Sequence, residues 1–276
     1  MGSEQFEGNK DEQVANIAIN CADAAELYES LKHSAGHHRT YRIYYKSIEI
    51  VEQIIKNKNL ILRNDNFNDC EEKDSLTDSS IDGFVKFILC LTYSLSESVA
   101  MWYMYGDNLE SNVMVKYNTL IKDIVKYNEN SPIEFGFFDS DNKTFEKKGE
   151  TSNCEITIVD VLYCEQNDNG TYYIKRAEKS KKNVPKEVVE SLPKHICKNN
   201  AWNYENECRL VVKVPKEIVN GVNAVRLKLS DDITKSLIKD GIIVKSPSFI
   251  DQNSREYRMV DSKLKGKVVF PNCENI

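Results

Sequence analysis

The hydrophobic positions of this chain change period several times, and each change marks an element. Over residues 12–34, Val14, Ile17, Cys21, Ala24, Leu27 and Leu31 recur at three- and four-residue steps, predicting an N-terminal amphipathic helix that fades into HSAGHH. TYRIYYKS alternates instead, with Tyr41, Ile43 and Tyr45 on one face and Arg42, Tyr44 and Lys46 on the other, the period of a strand. IEIVEQIIKNK returns to helical spacing with Ile48, Val51, Ile54 and Ile55 inward, and NLILRNDNFND reads as a strand running into a polar loop.

After a loop rich in Asp and Ser over residues 64–82, FVKFILCLTYSLS carries the strongest strand pattern. Phe87, Leu89, Leu91, Tyr93 and Leu95 fall on one face, and Cys90, Thr92, Ser94 and Ser96 on the other. ESVAMWYMYG predicts a short helix, capped by Ser96 or Ser98 and stopped by Gly106, with Ser98, Trp102 and Tyr105 on neighbouring turns. SNVMVKYNTLIKDIVKYN predicts a strand and then a helix. The runs from Glu134 to Lys147 and from Val159 to Arg176, broken by DSDN and NDNG, predict hairpins. Residues 183–198 resume helical spacing around Pro185 and Pro193, and ECRLVVKVP is a strand with Cys208, Leu210 and Val212 inward. NAVRLKLS, the Ser230-capped helix DDITKSLIK, its stop Gly241 and IIVKSP form a last strand, helix, strand unit, and KGKVVFP closes the chain. Without a repeat or a clear linker, the order predicts an α+β fold with mixed or antiparallel sheets. Residues 1–39 read as an N-terminal helical extension and 40–276 as a single domain.

Composition narrows the partners. With 41% hydrophobic and 29% charged residues in 276, the chain can bury one sizeable core, and its net charge of −6 argues against a broad electrostatic grip on nucleic acid or an anionic membrane. No apolar run reaches the length of a membrane span, and MGSEQFEGNKDEQ is neither a signal nor a transit peptide, so a cytoplasmic protein is expected. The eight cysteines are scattered with no C-x-x-C pair. His33 and His37 have metal-ligand spacing, but Gly36 interrupts the turn and no acid completes a set, so no metal is expected.

Chemistry concentrates in AWNYENECRLVV, where Glu205 and Glu207 stand one residue apart just after Trp202. On a strand the two carboxylates share a face and repel each other, which is tolerable where they serve a site. Arg209 shares that face, so an exposed ion-pair ladder on an edge strand is the structural alternative. Trp102 and Trp202 fit core anchors as well as ligand walls, and Asn68 and Asp69 fit an Asx turn beside a solvated Glu71.

NLILRNDNFNDCEE, LTYSLSESVAMWYMYG and KNNAWNYENECRLVV resemble, in order, three signature blocks of the bacterial family called domain of unknown function 2971. The resemblance spans roughly residues 40 to 250. Cys70 stands where that family usually has proline, and SNVMVKY lacks the family's glycine. The order Arg42, Ser94, then the Glu pair also resembles the Arg, Ser and Glu signature of mono-ADP-ribosyltransferases, whose NAD lies in a cleft between two sheets. That resemblance implies an NAD-cleaving transferase with NAD as substrate, in the manner of a bacterial toxin or defence effector, acting on an acceptor that is a protein or nucleic acid. Glu207 would stabilise the positive ribose of the transition state and Glu205 would orient or deprotonate the acceptor. Arg42, or Lys46 on the same side, would pair with the pyrophosphate; Tyr44 shares that face, and Ser94 would fix Glu207. Trp102, Tyr105 and Trp202 would wall the nicotinamide. Two other functions fit the same residues: a catalytically silent module binding a nucleotide or peptide, and a metal-dependent nuclease using Asp69, Glu71, Glu205 and Glu207.

Overall fold

A computed structural model describes residues 21–65, 83–93, 101, 104–105, 113–118, 120–166, 172–173 and 186–244. In chain order the elements are α1 (Ala24–Gly36), β1 (Arg42–Tyr45), α2 (Ile48–Asn57), β2 (Asn59–Arg63), β3 (Phe84–Thr92) and β4 (Val113–Lys116). There follow α3 (Leu120–Asn128), β5 (Ile133–Asp139), β6 (Thr144–Thr151), β7 (Glu155–Asp160), β8 (Leu162–Gln166), β9 (Tyr172–Tyr173) and α4 (Lys186–Glu190). The last are β10 (Cys197–Asn199), β11 (Glu207–Pro215), β12 (Ala224–Lys228), α5 (Asp231–Ser236) and β13 (Ile242–Val244). The fold is α+β with mostly antiparallel strand pairing, as the order of periodicities predicts; β8 and β10 are a parallel pair. Among the described residues no helix is long and apolar enough to cross a membrane.

The chain forms two compact units. The first holds the described residues within Met1–His38, Ile61–Leu91 and Asn128–Arg226. Its principal strand is β11, hydrogen-bonded to both β3 and β7, with Cys208 opposite Asp160 and Lys213 opposite Glu155. Every side chain from Glu207 to Val212 is buried, so both faces of this strand are covered and the expected alternation does not occur. β3 departs from its pattern in the same way: Phe87 and Ile88 are both buried, whereas Leu89 and Cys90 are both half-buried. A strand paired within a sheet and covered on both faces has no solvent side to alternate toward.

α1 opens at Asp23, whose carboxylate accepts from the Glu26 amide, while Glu26 accepts from the Ala22 amide, a reciprocal cap that satisfies two end donors. Of the helix expected over 12–34, residues 12–20 lie outside the described residues; the described part runs from Ala24 through Gly36. Its Leu27 and Leu31 pack with Val159, Val211, Leu162 and Ile196 in the core. Just past the helix, His38 Nε2 lies 2.6 Å from Asp160 Oδ1, tying α1 to the end of β7.

β5 and β6 form the expected hairpin, with a register shift at Phe135/Gly136 where a Cβ on Gly136 would overlap the Glu146 carbonyl. The 183–198 stretch is more broken than its spacing predicts. α4 is short, a 3-10 turn spans Lys194–Ile196, and β10 follows directly. Pro193 accounts for the break, because it cannot donate an amide to a continuing helix.

The second unit holds the described residues within Arg39–Leu60, Thr92–Tyr127 and Leu227–Ile276. Here β4 pairs with β1 (Arg42 opposite Lys116) and with β13 (Ile242 opposite Val115). α2 ends at Lys58 in the left-handed region (φ 49°), whose carbonyl accepts from the Leu229 amide at 2.7 Å. α5 starts as predicted on the Ser230 cap, and a π turn over Leu237–Gly241 leads into β13.

Candidate functional site

The Glu-x-Glu pair is built by the approach to β11. From β10 the chain enters a 3-10 turn, Asn200–Glu205, capped by the Asn199 side chain, which accepts from the Ala201 amide. Asn206 then takes the left-handed conformation at φ 45°, which Asn adopts more readily than most residues, and β11 begins at Glu207. Glu205 is therefore not one pleat before Glu207 on a strand face, as the alternation implied.

The two carboxylates meet another way. Lys198 on β10 points its Nζ to within 2.7 Å of Glu205 Oε2 and 3.3 Å of Glu207 Oε2. Arg209, two residues along β11 and so on the face of Glu207, grips that carboxylate with two donors, Nε to Oε1 at 2.7 Å and Nη2 to Oε2 at 3.1 Å. Its Nη1 donates to the His195 carbonyl at 2.6 Å. Exposures of 1% for Glu205, 3% for Glu207, 9% for Lys198 and 0% for Arg209 decide the structural alternative: the acids and Arg209 form no exposed ladder on an edge strand, because β11 is paired on both sides.

Two buried cations face two buried anions, so the group is neutral as a whole, which is the condition for leaving charges out of water. Burial alone would raise the Glu207 pKa. The charges of Arg209 and Lys198, with hydrogen bonds from Arg209 and the Cys90 thiol, outweigh it and hold the carboxyl down to about 2. The Glu207 amide donates to the Tyr163 hydroxyl at 2.9 Å, and Asn200 Nδ2 donates to Glu165 at 2.6 Å, fastening both ends of the turn to β8.

What the turn presents is aromatic. Trp202 and Tyr204 are half-buried, their ring centroids 6.2 Å apart, and Lys198 Nζ sits 4.9 Å from the Trp202 centroid, a cation–π distance. Asn203 beside them donates to Asn200 Oδ1 at 3.0 Å.

Trp202, Glu205 and Glu207 belong to the first unit, whereas Arg42, Tyr44 and Tyr105 belong to the second. Arg42 and Tyr44 are buried on β1, Lys46 is exposed, and Tyr105 is half-buried. Ser94 and Trp102 lie outside the described residues, as do Asn68, Asp69 and Glu71. β3, the strand that leads toward Ser94, is a hydrogen-bonded neighbour of β11, and Cys90 is the β3 residue that bonds Glu207. Among the described residues no three His, Cys, Asp or Glu side chains converge as a metal site, and the His33 and His37 rings lie with centroids 4.2 Å apart, tilted by 42°.

Sequence reasoning missed Lys198 and Cys90 as members of this group. The signal for Lys198 was the acid pair itself, which needed a counter-charge beyond Arg209; its position depends on the 3-10 turn, which no periodicity marks. Comparison with family models, with curated proteins and with solved structures yields no match to this chain.

Proposed function

We propose that this protein binds the planar part of a nucleotide of the NAD type on the Trp202 and Tyr204 turn, and that Glu205 and Glu207 hold the turn in place. The supporting observation is a half-exposed tryptophan on a backbone fixed by a buried, charge-balanced group. A ring held still before the ligand arrives loses little freedom on binding, and stacking a base on an aromatic side chain contributes about 1–3 kcal/mol.

The same geometry weighs against Glu207 as the group that stabilises a ribosyl cation. Such a carboxylate works by charge left uncompensated until the transition state, and here Arg209 and Lys198 already neutralise it. The six described cysteines form no disulfide, which fits the reducing cytoplasm where such nucleotides are found. Titration with NAD, ADP-ribose and nicotinamide should quench tryptophan fluorescence saturably, and Trp202→Phe should remove that quench. Quenching that survives Trp202→Phe would displace the site from this turn.

A second reading is favoured by the pairing of β3 with β11 and by the Cys90 contact with Glu207. It is the NAD-dependent mono-ADP-ribosyltransferase of a toxin or defence effector, for which the order Arg42, Ser94 and Glu207 along the sequence is the signature. It requires NAD to pull Glu207 out of its contacts with Arg209, and it requires nicotinamide to be released.

A further inference from the structure

We propose a separate binding site, for a small organic ammonium ion carrying an aromatic body, in the groove between α3 and α5. This groove lies wholly in the second unit and does not depend on the Trp202 turn. Its volume of about 480 Å³ falls within the range of small-ligand sites, roughly 300–1,000 Å³. α3 contributes Leu120, Asp123 and Tyr127, which the helical period places along one face, and α5 contributes Asp232 and Ile233. Ile233 is buried and makes an apolar floor, while the Tyr127 ring, 45% exposed, forms an open wall on which another ring can stack.

The charge of the groove selects the ligand. Asp123 and Asp232 both line it, and neither makes an ion pair or hydrogen bond among the described residues, whereas neighbouring Asp231 is paired with Lys58 at 2.7 Å. Among the described residues Lys126 is the single cation in the lining, beside two carboxylates, so these walls carry a net negative charge. An anion finds no welcome at the start of α5, since Ser230 Oγ already takes the Ile233 amide and the Ser230 carbonyl takes the Thr234 amide. A primary ammonium set between the two carboxylates, with its ring against Tyr127 and Leu120, satisfies every wall. Two carboxylates supply at most four of the roughly six to eight oxygens that calcium takes.

The probe is phenethylammonium, followed by titration calorimetry and by backbone amide shifts of the whole chain. Saturable binding with Kd on the order of 0.1–1 mM is expected for a ligand of this size, with shifts at Tyr127 and Ile233. Phenethyl alcohol, of the same shape without the charge, should bind at least about tenfold more weakly, and Asp123→Asn should weaken the amine about fivefold or more. Lys126→Ala, on an exposed helical position, should tighten amine binding about twofold or more while leaving the melting temperature unchanged, which keeps the test alive if an Asp variant unfolds. Equal affinity for the alcohol, an unchanged Kd in Asp123→Asn or Lys126→Ala, or no saturation by about 20 mM amine would overturn the proposal.

Discussion

One ammonium holds two acids: Lys198 Nζ lies 2.7 Å from Glu205 and 3.3 Å from Glu207, with all three side chains buried. This is how the chain tolerates Glu-x-Glu at the mouth of an apolar strand. The acids do not repel across a pleat, because a 3-10 turn and a left-handed Asn206 bring both of them onto one cation. Removing that cation strands net negative charge in the interior. Lys198→Met should lower unfolding free energy by about 3–5 kcal/mol in urea titration, and adding Glu205→Gln should recover part of the loss by restoring balance. A single variant within about 1 kcal/mol of the parent would mean that solvent reaches the group.

The Glu207 carboxyl is held down to about 2 from an ordinary 4.5. Its contribution is therefore complete above the ordinary value and is lost as pH falls from there toward the folded one, a loss on the order of 3 kcal/mol between about pH 4.5 and pH 2. Glu207→Gln should be less stable at neutral pH and should lack this component of the acid transition. Parallel stability curves for parent and variant across that window would contradict the assignment.

Gly136 sits where β5 shifts register against β6 and where any Cβ would strike the Glu146 carbonyl. Gly136→Ala should destabilise the hairpin by about 1–3 kcal/mol, with faster amide exchange at Phe135 to Phe138 as the local readout. Gly83 lies in open space but at φ 74°, so Gly83→Ala tests backbone strain without a clash.

Periodicity made the coarse fold legible and failed at the site for identifiable reasons. α2, β2 and the β5–β6 hairpin follow their patterns because each has one dominant inward face or a turn of Asp and Asn, whereas β1 is a strand where expected but is buried on both faces from Arg42 to Tyr44. The burial pattern of β11 misled because that strand is covered on both faces, and Glu205 misled because alternation presumes a strand where a 3-10 turn stands. Lys198 was invisible because its partners depend on how β10, the turn and β11 close on one another, a relationship carried by Asn199 and Asn206 conformations and by no apolar spacing.

Burial pushes the Cys197 thiol up to about 12, against the pull of Arg209, and pushes Cys164 and Cys208 well above their ordinary range. These three thiols should resist alkylation at pH 8 in the folded protein and react on unfolding, as read by mass mapping of each site. Modification of Cys197 in the native state would show that the strand pair β8 and β10 opens.

The most direct test of a binding turn held by neutralised acids is to incubate the protein with NAD and follow both binding, by calorimetry, and free nicotinamide, by chromatography. Saturable NAD binding that needs Trp202, without nicotinamide release, is the outcome expected here. Steady nicotinamide release that disappears in folded Glu207→Gln would contradict it and make Glu207 the catalytic carboxylate of a transferase.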